Sequence, residues 1–191
     1  MNQAISKMNL IIKNTKGMAD VFVYYAGHGL PDEINKEPYL MPVDVNGKNA
    51  TDGIKLQYLY NKLTESPSNR VTAFIDACFS GGARNQGLVA ARGVKIEPKG
   101  NNLNGNLVSF TSSSNNQSSL PLKNEEHGIF TYYLLKKLKD SKGEINYDEL
   151  SQYLEEVVSL QSVLKNDKEQ RPKTNISYKI SSEWKTWKIN E

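Results

Sequence analysis

Apolar positions along the chain recur with two periods, one typical of helices and one typical of strands. Apolar residues three and four apart form the buried face of a helix. The segments with this spacing are residues 3–13, 52–66, 129–138 and 147–158. Short runs of β-branched and aromatic residues are typical of buried strands. The segments of this second kind are residues 20–25, 39–41, 71–76, 107–111 and 175–180. Their alternation predicts an α/β fold with a mainly parallel sheet.

One long segment, residues 81–106, follows neither period. It contains six glycines and one proline, with basic residues scattered along it. A compact domain seldom keeps a loop of this length unless the loop has a function or is disordered. We therefore interpret the chain as a single domain over residues 1–191 in which a flexible loop separates the parts 1–80 and 107–191.

Composition limits the number of domains, the kinds of partner and the cellular location that we expect. The 191 residues are enough for one domain with its own core, and the net charge is only +3. No dense basic run is interleaved with aromatic residues, so nucleic acid is not expected as a partner. No apolar run is long enough to cross a bilayer, and the first residues lack the apolar core of a signal peptide. We expect a cytoplasmic protein without a membrane partner.

The single cysteine of the chain, Cys78, limits the possible chemistry. One cysteine cannot form an internal disulfide, and one cysteine with two distant histidines is a poor zinc site. No metal or other cofactor is therefore predicted. A lone cysteine is often a small buried hydrophobic residue, and this structural interpretation is one alternative for Cys78.

The placement of Cys78 and His28 favours a catalytic interpretation. Cys78 lies two residues after the strand predicted over residues 71–76, and His28 lies three residues after the strand predicted over residues 20–25. Open α/β sheets bind ligands at the carboxyl ends of their strands. If the two strands are parallel neighbours, the thiol and the imidazole face each other as a nucleophile and its base. Gly29 could then point its N–H at a reacting oxygen with no Cβ in the way.

The motifs around these two residues resemble those of a known clan. Residues 76–81 read Asp-Ala-Cys-Phe-Ser-Gly, and residues 25–29, which read Tyr-Ala-Gly-His-Gly, place the histidine 50 positions before the cysteine. This pair of motifs resembles the caspase–metacaspase clan of cysteine peptidases, and most closely the prokaryotic metacaspase and orthocaspase members. Residues 127–132, His-Gly-Ile-Phe-Thr-Tyr, are similar to the helix opening common in bacterial members. The resemblance implies a three-layer α/β/α sandwich.

The resemblance also implies a role for each matching residue. Cys78 would be the nucleophile, His28 the general base and acid, and the backbone N–H groups of Gly29 and Cys78 the oxyanion hole. Asp76 would line the S1 pocket, where a carboxylate favours a cationic partner and repels an anion. Cleavage after Arg or Lys in a polypeptide substrate is therefore expected. The alternative for Asp76 is a turn residue that bonds its own backbone.

The chain departs from the clan's pattern in three places. Phe79 stands where eukaryotic metacaspases often have His. The acidic pair that binds calcium in many metacaspases is not evident, because Asp44 and Asp52 are too scattered, so a calcium site is not predicted. The first strand, the following helix and the second strand of the family are not all present before Asp20. An additional N-terminal segment or a partner chain is expected to complete the sheet.

The loop over residues 81–106 lies where the clan joins its large and small subunits. Residues 1–80 would then be the large-subunit-like part, and residues 107–191 the small-subunit-like part. Self-cleavage in the loop is expected, with Arg84 and Arg92 as the leading sites, because both are basic residues in a flexible segment. An ordinary mobile linker with solvated cations is the alternative.

Two other functions remain open from the sequence. The first is a catalytically inactive caspase-like module that acts as a scaffold in signalling. The second is a flavodoxin-like binding domain, for which residues 112–119 are the only suitable loop, and this loop lies late in the chain.

Overall fold

The computed structural model describes residues 1–45, 49–80, 97–114, 117–122 and 127–190. Four helices follow in chain order: α1 (Asn2–Asn14), α2 (Leu56–Leu63), α3 (Ile129–Ser141) and α4 (Tyr147–Asn166). The strands of the main sheet are β1 (Asp20–Pro31), β2 (Pro38–Met41), β3 (Ile54–Lys55), β4 (Arg70–Cys78), β5 (Leu107–Thr111) and β8 (Lys173–Ile176). A small hairpin pairs β6 (Pro121–Leu122) with β7 (His127–Gly128). None of these helices is long and apolar enough to cross a membrane.

The main sheet has a parallel centre and antiparallel flanks. Its strand order is β3-β2-β1-β4-β5-β8. The pairs β1–β4 and β4–β5 are parallel, whereas β2, β3 and β8 join the sheet antiparallel to their neighbours. The predicted mainly parallel sheet is therefore mixed. Short connections account for β2 and β3, because antiparallel neighbours need only a turn, whereas parallel neighbours need a crossover. Strand β8 reaches its neighbour β5 after α3 and α4.

Helices cover the sheet on both faces and give three layers. On one face, α1 and α2 pack against the odd-numbered residues of the central strands, such as Val71, Ala73 and Ile75. On the other face, α3 and α4 pack against even-numbered residues, such as Phe74 and Phe110. This is the α/β/α arrangement that the resemblance implied.

Two buried tyrosine hydroxyls, one on each face, are hydrogen-bonded to strand residues. On the α2 face, Tyr60 Oη lies 2.7 Å from Ser109 Oγ, and burial raises the pKa of Tyr60 to about 12. On the other face, the hydroxyls of Thr72 and Tyr147 are hydrogen-bonded, and burial raises the pKa of Tyr147. Both tyrosines therefore stay protonated and anchor helices α2 and α4 to the sheet.

Several predicted element boundaries differ from the structure. The helix expected over residues 52–66 is shorter, because the short strand β3 precedes it. The helix expected over residues 147–158 continues to Asn166, with a capping box at Asn146 that fixes its start. The last strand, expected over residues 175–180, spans Lys173–Ile176. It ends there because its partner β5 begins at Leu107, and a 3-10 turn follows.

Candidate active site

The two strands that carry His28 and Cys78 lie side by side. β1 and β4 are parallel neighbours, and His28 is the direct register partner of Cys78. Adjacent strands are about 4.8 Å apart, and paired residues project to the same face of the sheet. The imidazole and the thiol therefore share the face on which α3 and α4 pack. The predicted juxtaposition of the two strand ends is confirmed at the level of strand order and register.

Both strands extend further than the sequence predicted. Cys78 is the last residue of β4, not a residue beyond its end, and β1 continues through His28 to Pro31. The Gly27-His28-Gly29 segment was predicted to lie beyond the strand, because glycines are typical of turns. It stays extended because residues 28–31 pair with β2 on one side while β4 continues on the other.

Tyr25 fixes the backbone at His28, a role that the sequence did not predict. Its hydroxyl donates to the His28 carbonyl over 2.7 Å and accepts from the Met41 N–H over 3.1 Å. The ring folds back across Gly27, where a Cβ would lie 2.8 Å from the Tyr25 hydroxyl. Glycine is therefore required at position 27 so that Tyr25 can reach both neighbouring residues.

Gly29 is also required by a close approach. A Cβ at this position would lie 2.6 Å from the Phe79 ring and 2.9 Å from the Cys78 carbonyl oxygen. The space beside Gly29, where we expected a substrate oxygen to bind, is thus bordered by Cys78 and Phe79. The assignment of the Gly29 and Cys78 N–H groups to an oxyanion hole stays a prediction.

The two members of the pair differ in exposure. His28 is exposed, whereas Cys78 is 5% exposed. The Cys78 Sγ atom lies 3.1 Å from Ser80 Oγ and 3.8 Å from the Gln117 carbonyl oxygen. Ser80 belongs to the cysteine motif, but no role was predicted for it.

Asp76 lies on the same face of β4, two residues before Cys78, and is fully buried. Ser119 Oγ donates to its Oδ1 atom over 2.5 Å, and Thr131 Oγ1 donates to its Oδ2 atom over 2.6 Å. Tyr24 Oη lies 2.9 Å from Thr131 Oγ1 and must be the donor there, because the Thr131 proton is already used. The carboxylate is thus held by hydroxyls from two other segments of the chain.

A small side chain on β1 lies beside this carboxylate. Ala26 is the register partner of Asp76, and it lies on the same face between Tyr24 and His28. Ala26 is exposed and has the smallest side chain of the three. Two residues along a strand span about 6.6 Å, so the Asp76 position lies within one side-chain length of Cys78.

Gln170 holds the segment that follows β5 against the site. Its buried amide accepts from the Leu120 N–H over 2.6 Å and donates to the Ser112 carbonyl over 2.8 Å. Gln117 is also held in place, because its side-chain oxygen accepts a hydrogen bond from the backbone N–H of Arg171 over 2.7 Å. The segment that contacts Cys78 and Asp76 is therefore fixed at both ends.

The remaining predicted residues lie elsewhere. His127 is exposed on β7, directly before α3. Arg84 and Arg92, the predicted self-cleavage sites, lie outside the described residues. Within the described ranges, no three His, Cys, Asp or Glu side chains are grouped in a way that could hold a metal ion.

Two solved structures have a fold similar to that of this chain. The first is protein GSU0716 from Geobacter sulfurreducens, with a TM-score of 0.62 and 16% identity over 97% of this chain and 76% of that chain. The second is caspase-1 from Spodoptera frugiperda, with a TM-score of 0.54 and 18% identity over 90% of this chain and 67% of that chain. No curated protein matches the sequence significantly.

The fold and the paired cysteine and histidine together define a caspase-like class of protein. The sequence profile of the caspase domain matches residues 1–179, most of the chain. The chain belongs to the caspase domain family, a family of cysteine peptidases.

Proposed function

We propose that this protein is a cysteine endopeptidase that uses Cys78 as nucleophile and His28 as base, and that cleaves polypeptides after Arg or Lys. The observation that carries the proposal is the register pairing of His28 with Cys78 on one face of the sheet. A thiol and an imidazole on adjacent strands are the minimum for nucleophilic acyl transfer.

The proposed reaction has two acyl-transfer steps. His28 takes the proton of the Cys78 thiol, and the thiolate attacks the carbonyl carbon after the P1 residue. The resulting oxyanion accepts hydrogen bonds from the N–H groups of Gly29 and Cys78. His28 then gives its proton to the leaving amine as the C–N bond breaks. Water hydrolyses the thioester, which releases the carboxylic acid product and restores the thiol.

The surroundings of Asp76 support a basic P1 residue. A buried carboxylate gains from a cation that reaches it and repels an anion. The described side chains that donate to Asp76 are the hydroxyls of Ser119 and Thr131. The exposed Ala26 beside it leaves room for a P1 Arg or Lys to approach from the cleft.

An Arg-containing fluorogenic peptide tests the proposal. We expect turnover by the wild type and none by Cys78→Ala, and for His28→Ala we expect a rate about 10²–10⁴-fold lower. His127→Ala, which removes the chain's other histidine, is the matched control and should keep wild-type activity. Turnover that survives Cys78→Ala would refute the assignment of the nucleophile.

Substrate choice is tested separately with Asp76→Asn. This substitution keeps the size of the side chain and removes its charge. We expect kcat/KM for an Arg peptide to fall about 100-fold. An equal effect on peptides with a neutral P1 residue would show that Asp76 only supports the structure.

Self-processing forms part of the same proposal, with Arg84 and Arg92 as the leading sites. Its support is the sequence, since both are basic residues in a glycine-rich segment. Mass spectrometry of the purified protein should detect cleavage after one of them, and Cys78→Ala should remain intact. An intact wild-type loop under conditions of peptide turnover would contradict self-processing.

One observation favours the alternative, a catalytically inactive caspase-like module. Cys78 is only 5% exposed, and its sulfur lies beneath the Gln117 carbonyl. Substrate could reach such a sulfur only if the segment around Gln117 moves. Absence of turnover, together with failure of thiol reagents to modify Cys78 in the folded protein, would support the inactive module.

A further inference from the structure

The cysteine sulfur has a hydroxyl as a close polar neighbour. Ser80 Oγ lies 3.1 Å from Cys78 Sγ and 3.2 Å from the Gln117 carbonyl oxygen. Ser80 is fully buried, so its hydroxyl cannot turn to bulk water. The three atoms form a closed triangle of one thiol, one hydroxyl and one carbonyl.

The protons of this triangle have one favoured arrangement while the thiol is neutral. The carbonyl can only accept, whereas the hydroxyl and the thiol each hold one proton. The hydroxyl is the stronger donor and bonds the Gln117 carbonyl, and the thiol donates to Ser80 Oγ. All three groups are then satisfied, which burial requires.

Loss of the thiol proton changes this arrangement. A thiolate can only accept, so the hydroxyl proton of Ser80 is the one within the triangle that can stabilise it. A hydrogen bond to an ionised acceptor is roughly twice as strong as one to a neutral acceptor. The Ser80 proton therefore turns from the carbonyl to the sulfur. The Gln117 carbonyl, 3.8 Å from the sulfur, opposes the negative charge until it moves away.

We propose that Ser80 is a positioning residue that stabilises the Cys78 thiolate by transferring its hydrogen bond from the Gln117 carbonyl to the sulfur. The catalytic use of Ser80 rests on the proposed peptidase function. Its stabilisation of the Cys78 thiolate rests only on the geometry of the triangle. In this arrangement the Gln117 carbonyl holds the Ser80 hydroxyl at rest. Displacement of that segment by substrate releases the hydroxyl to the nucleophile.

The charged groups that face Cys78 from the described elements are few. His28 faces it from β1, and Asp76 precedes it on β4 with its carboxylate held by two hydroxyls. The segment 117–120 contributes no charged side chain. The guanidinium of nearby Arg171 lies 3.0 Å from Glu169. Ser80 thus acts as a neutral donor beside one imidazole and one carboxylate.

Thiolate absorbance near 240 nm tests the proposal directly, because Cys78 is the only cysteine in the chain. The protein is titrated with pH, and Cys78→Ala is the blank that removes the tyrosine signal. We expect Ser80→Ala to raise the midpoint by about one pH unit, the size of one charge-assisted hydrogen bond. Ser159→Ala, which removes an unpaired buried hydroxyl on α4, should leave the midpoint unchanged.

A matched pair of variants separates the hydroxyl from packing. Ser80→Thr keeps the hydroxyl and Ser80→Val replaces it with a methyl group of the same shape, so their difference remains informative if Ser80→Ala does not fold. We expect the midpoint of Ser80→Val to lie above that of Ser80→Thr. Equal midpoints in this pair, or a wild-type midpoint at or above that of Ser80→Ala, would overturn the proposal.

The peptidase assay distinguishes this proposal from the proposed function. At a pH below the thiol midpoint, Ser80→Ala should lower kcat/KM about tenfold, with recovery at higher pH. A shifted midpoint without peptide turnover would leave the role of Ser80 intact and refute the peptidase. Turnover that depends on Cys78, with an unshifted midpoint, would support the peptidase and refute the role of Ser80.

Discussion

Strands β4 and β1 are parallel neighbours over nine register pairs, yet they differ in how they are covered. Every residue of β4 is buried, whereas β1 alternates between covered and exposed positions. On the face that carries the site, α3 and α4 cover β4 but leave Phe22 45% and Tyr24 52% exposed. The proposed nucleophile is thus held on a fully packed strand, and the proposed base lies on a strand with one open face. In the proposed function, this open face is the side from which substrate approaches.

The two strands also differ at their edges. β4 lies between β1 and β5, whereas β1 pairs with β2 only from His28 onward. In the part of the chain that the structure describes, no strand pairs with residues 20–27 on the side away from β4. The expectation that another segment or a partner chain completes the sheet stays a prediction, and this is the edge at which it would pair.

The largest expected contrast is between one aromatic residue on each strand. Phe74 stacks on Phe110 with ring centroids 5.1 Å apart, and we expect Phe74→Ala to lower the free energy of unfolding by about 3–5 kcal/mol. Phe22 is half exposed, so Phe22→Ala should change the free energy of unfolding by no more than about 0.5 kcal/mol. Urea denaturation of both variants measures the difference. A similar cost at both positions would mean that Phe22 is covered in solution.

Amide hydrogen exchange compares the two strands directly. We expect alternate amides within residues 20–27, those that point away from β4, to exchange at least about 100-fold faster than the amides of residues 71–77. The reason is that they lack a partner strand among the described residues. Equal protection in both strands would show that the open edge of β1 is paired in solution, and light scattering would then report whether a second copy supplies the strand.

A smaller effect is expected at the tip of β1. Tyr25→Phe removes the hydroxyl that holds the His28 carbonyl and Met41. We expect a loss of about 1–2 kcal/mol in the free energy of unfolding and a several-fold fall in kcat/KM, because the histidine backbone loses its anchor. Tyr178→Phe is the control, since Tyr178 is 92% exposed. Equal peptidase rates for wild type and Tyr25→Phe would contradict an anchoring role.

The smallest effect concerns the ion pair that joins the starts of the two strands. The hydrogen bond from Arg70 lowers the pKa of Asp20, and the atoms lie 2.9 Å apart. A lowered carboxyl pKa stabilises the fold above the ordinary value near 4 and loses this effect as pH falls through the folded-state pKa. Asp20→Asn should therefore be less stable than wild type by about 1 kcal/mol at pH 7, with the gap closing below about pH 3. A gap that stays constant in thermal melts from pH 7 to pH 3 would contradict this account.

The local pattern predicted the centres of the strands and the pairing of Cys78 with His28. A run of β-branched and aromatic residues ends shortly before each of them, and a parallel α/β sheet brings such ends together. The pattern failed where two strands continue through residues typical of turns. The stretch around Gly27 remains extended because β4, β2 and the Tyr25 hydroxyl hold it, and these contacts depend on the folded sheet.

The partners of the site were not predictable from spacing. Ser119 is 43 residues from Asp76 along the chain, and Thr131 is 55 residues away. Ser119 lies in a serine-rich run where no local signal separates one hydroxyl from another. Nothing in the sequence around Gln170 predicts that its amide bonds both Ser112 and Leu120. Such roles arise from long-range contacts and become visible only in the fold.

The most direct test of the account is active-site labelling with a peptidyl arginine chloromethyl ketone. This reagent carries an electrophile for the sulfur and an arginine side chain, which the proposed function places near Asp76. The account predicts one adduct, on Cys78, with labelling at least about 100-fold slower in His28→Ala. Equal labelling rates in wild type and His28→Ala, with both proteins folded, would contradict the claim that the cysteine and the histidine share one catalytic cleft.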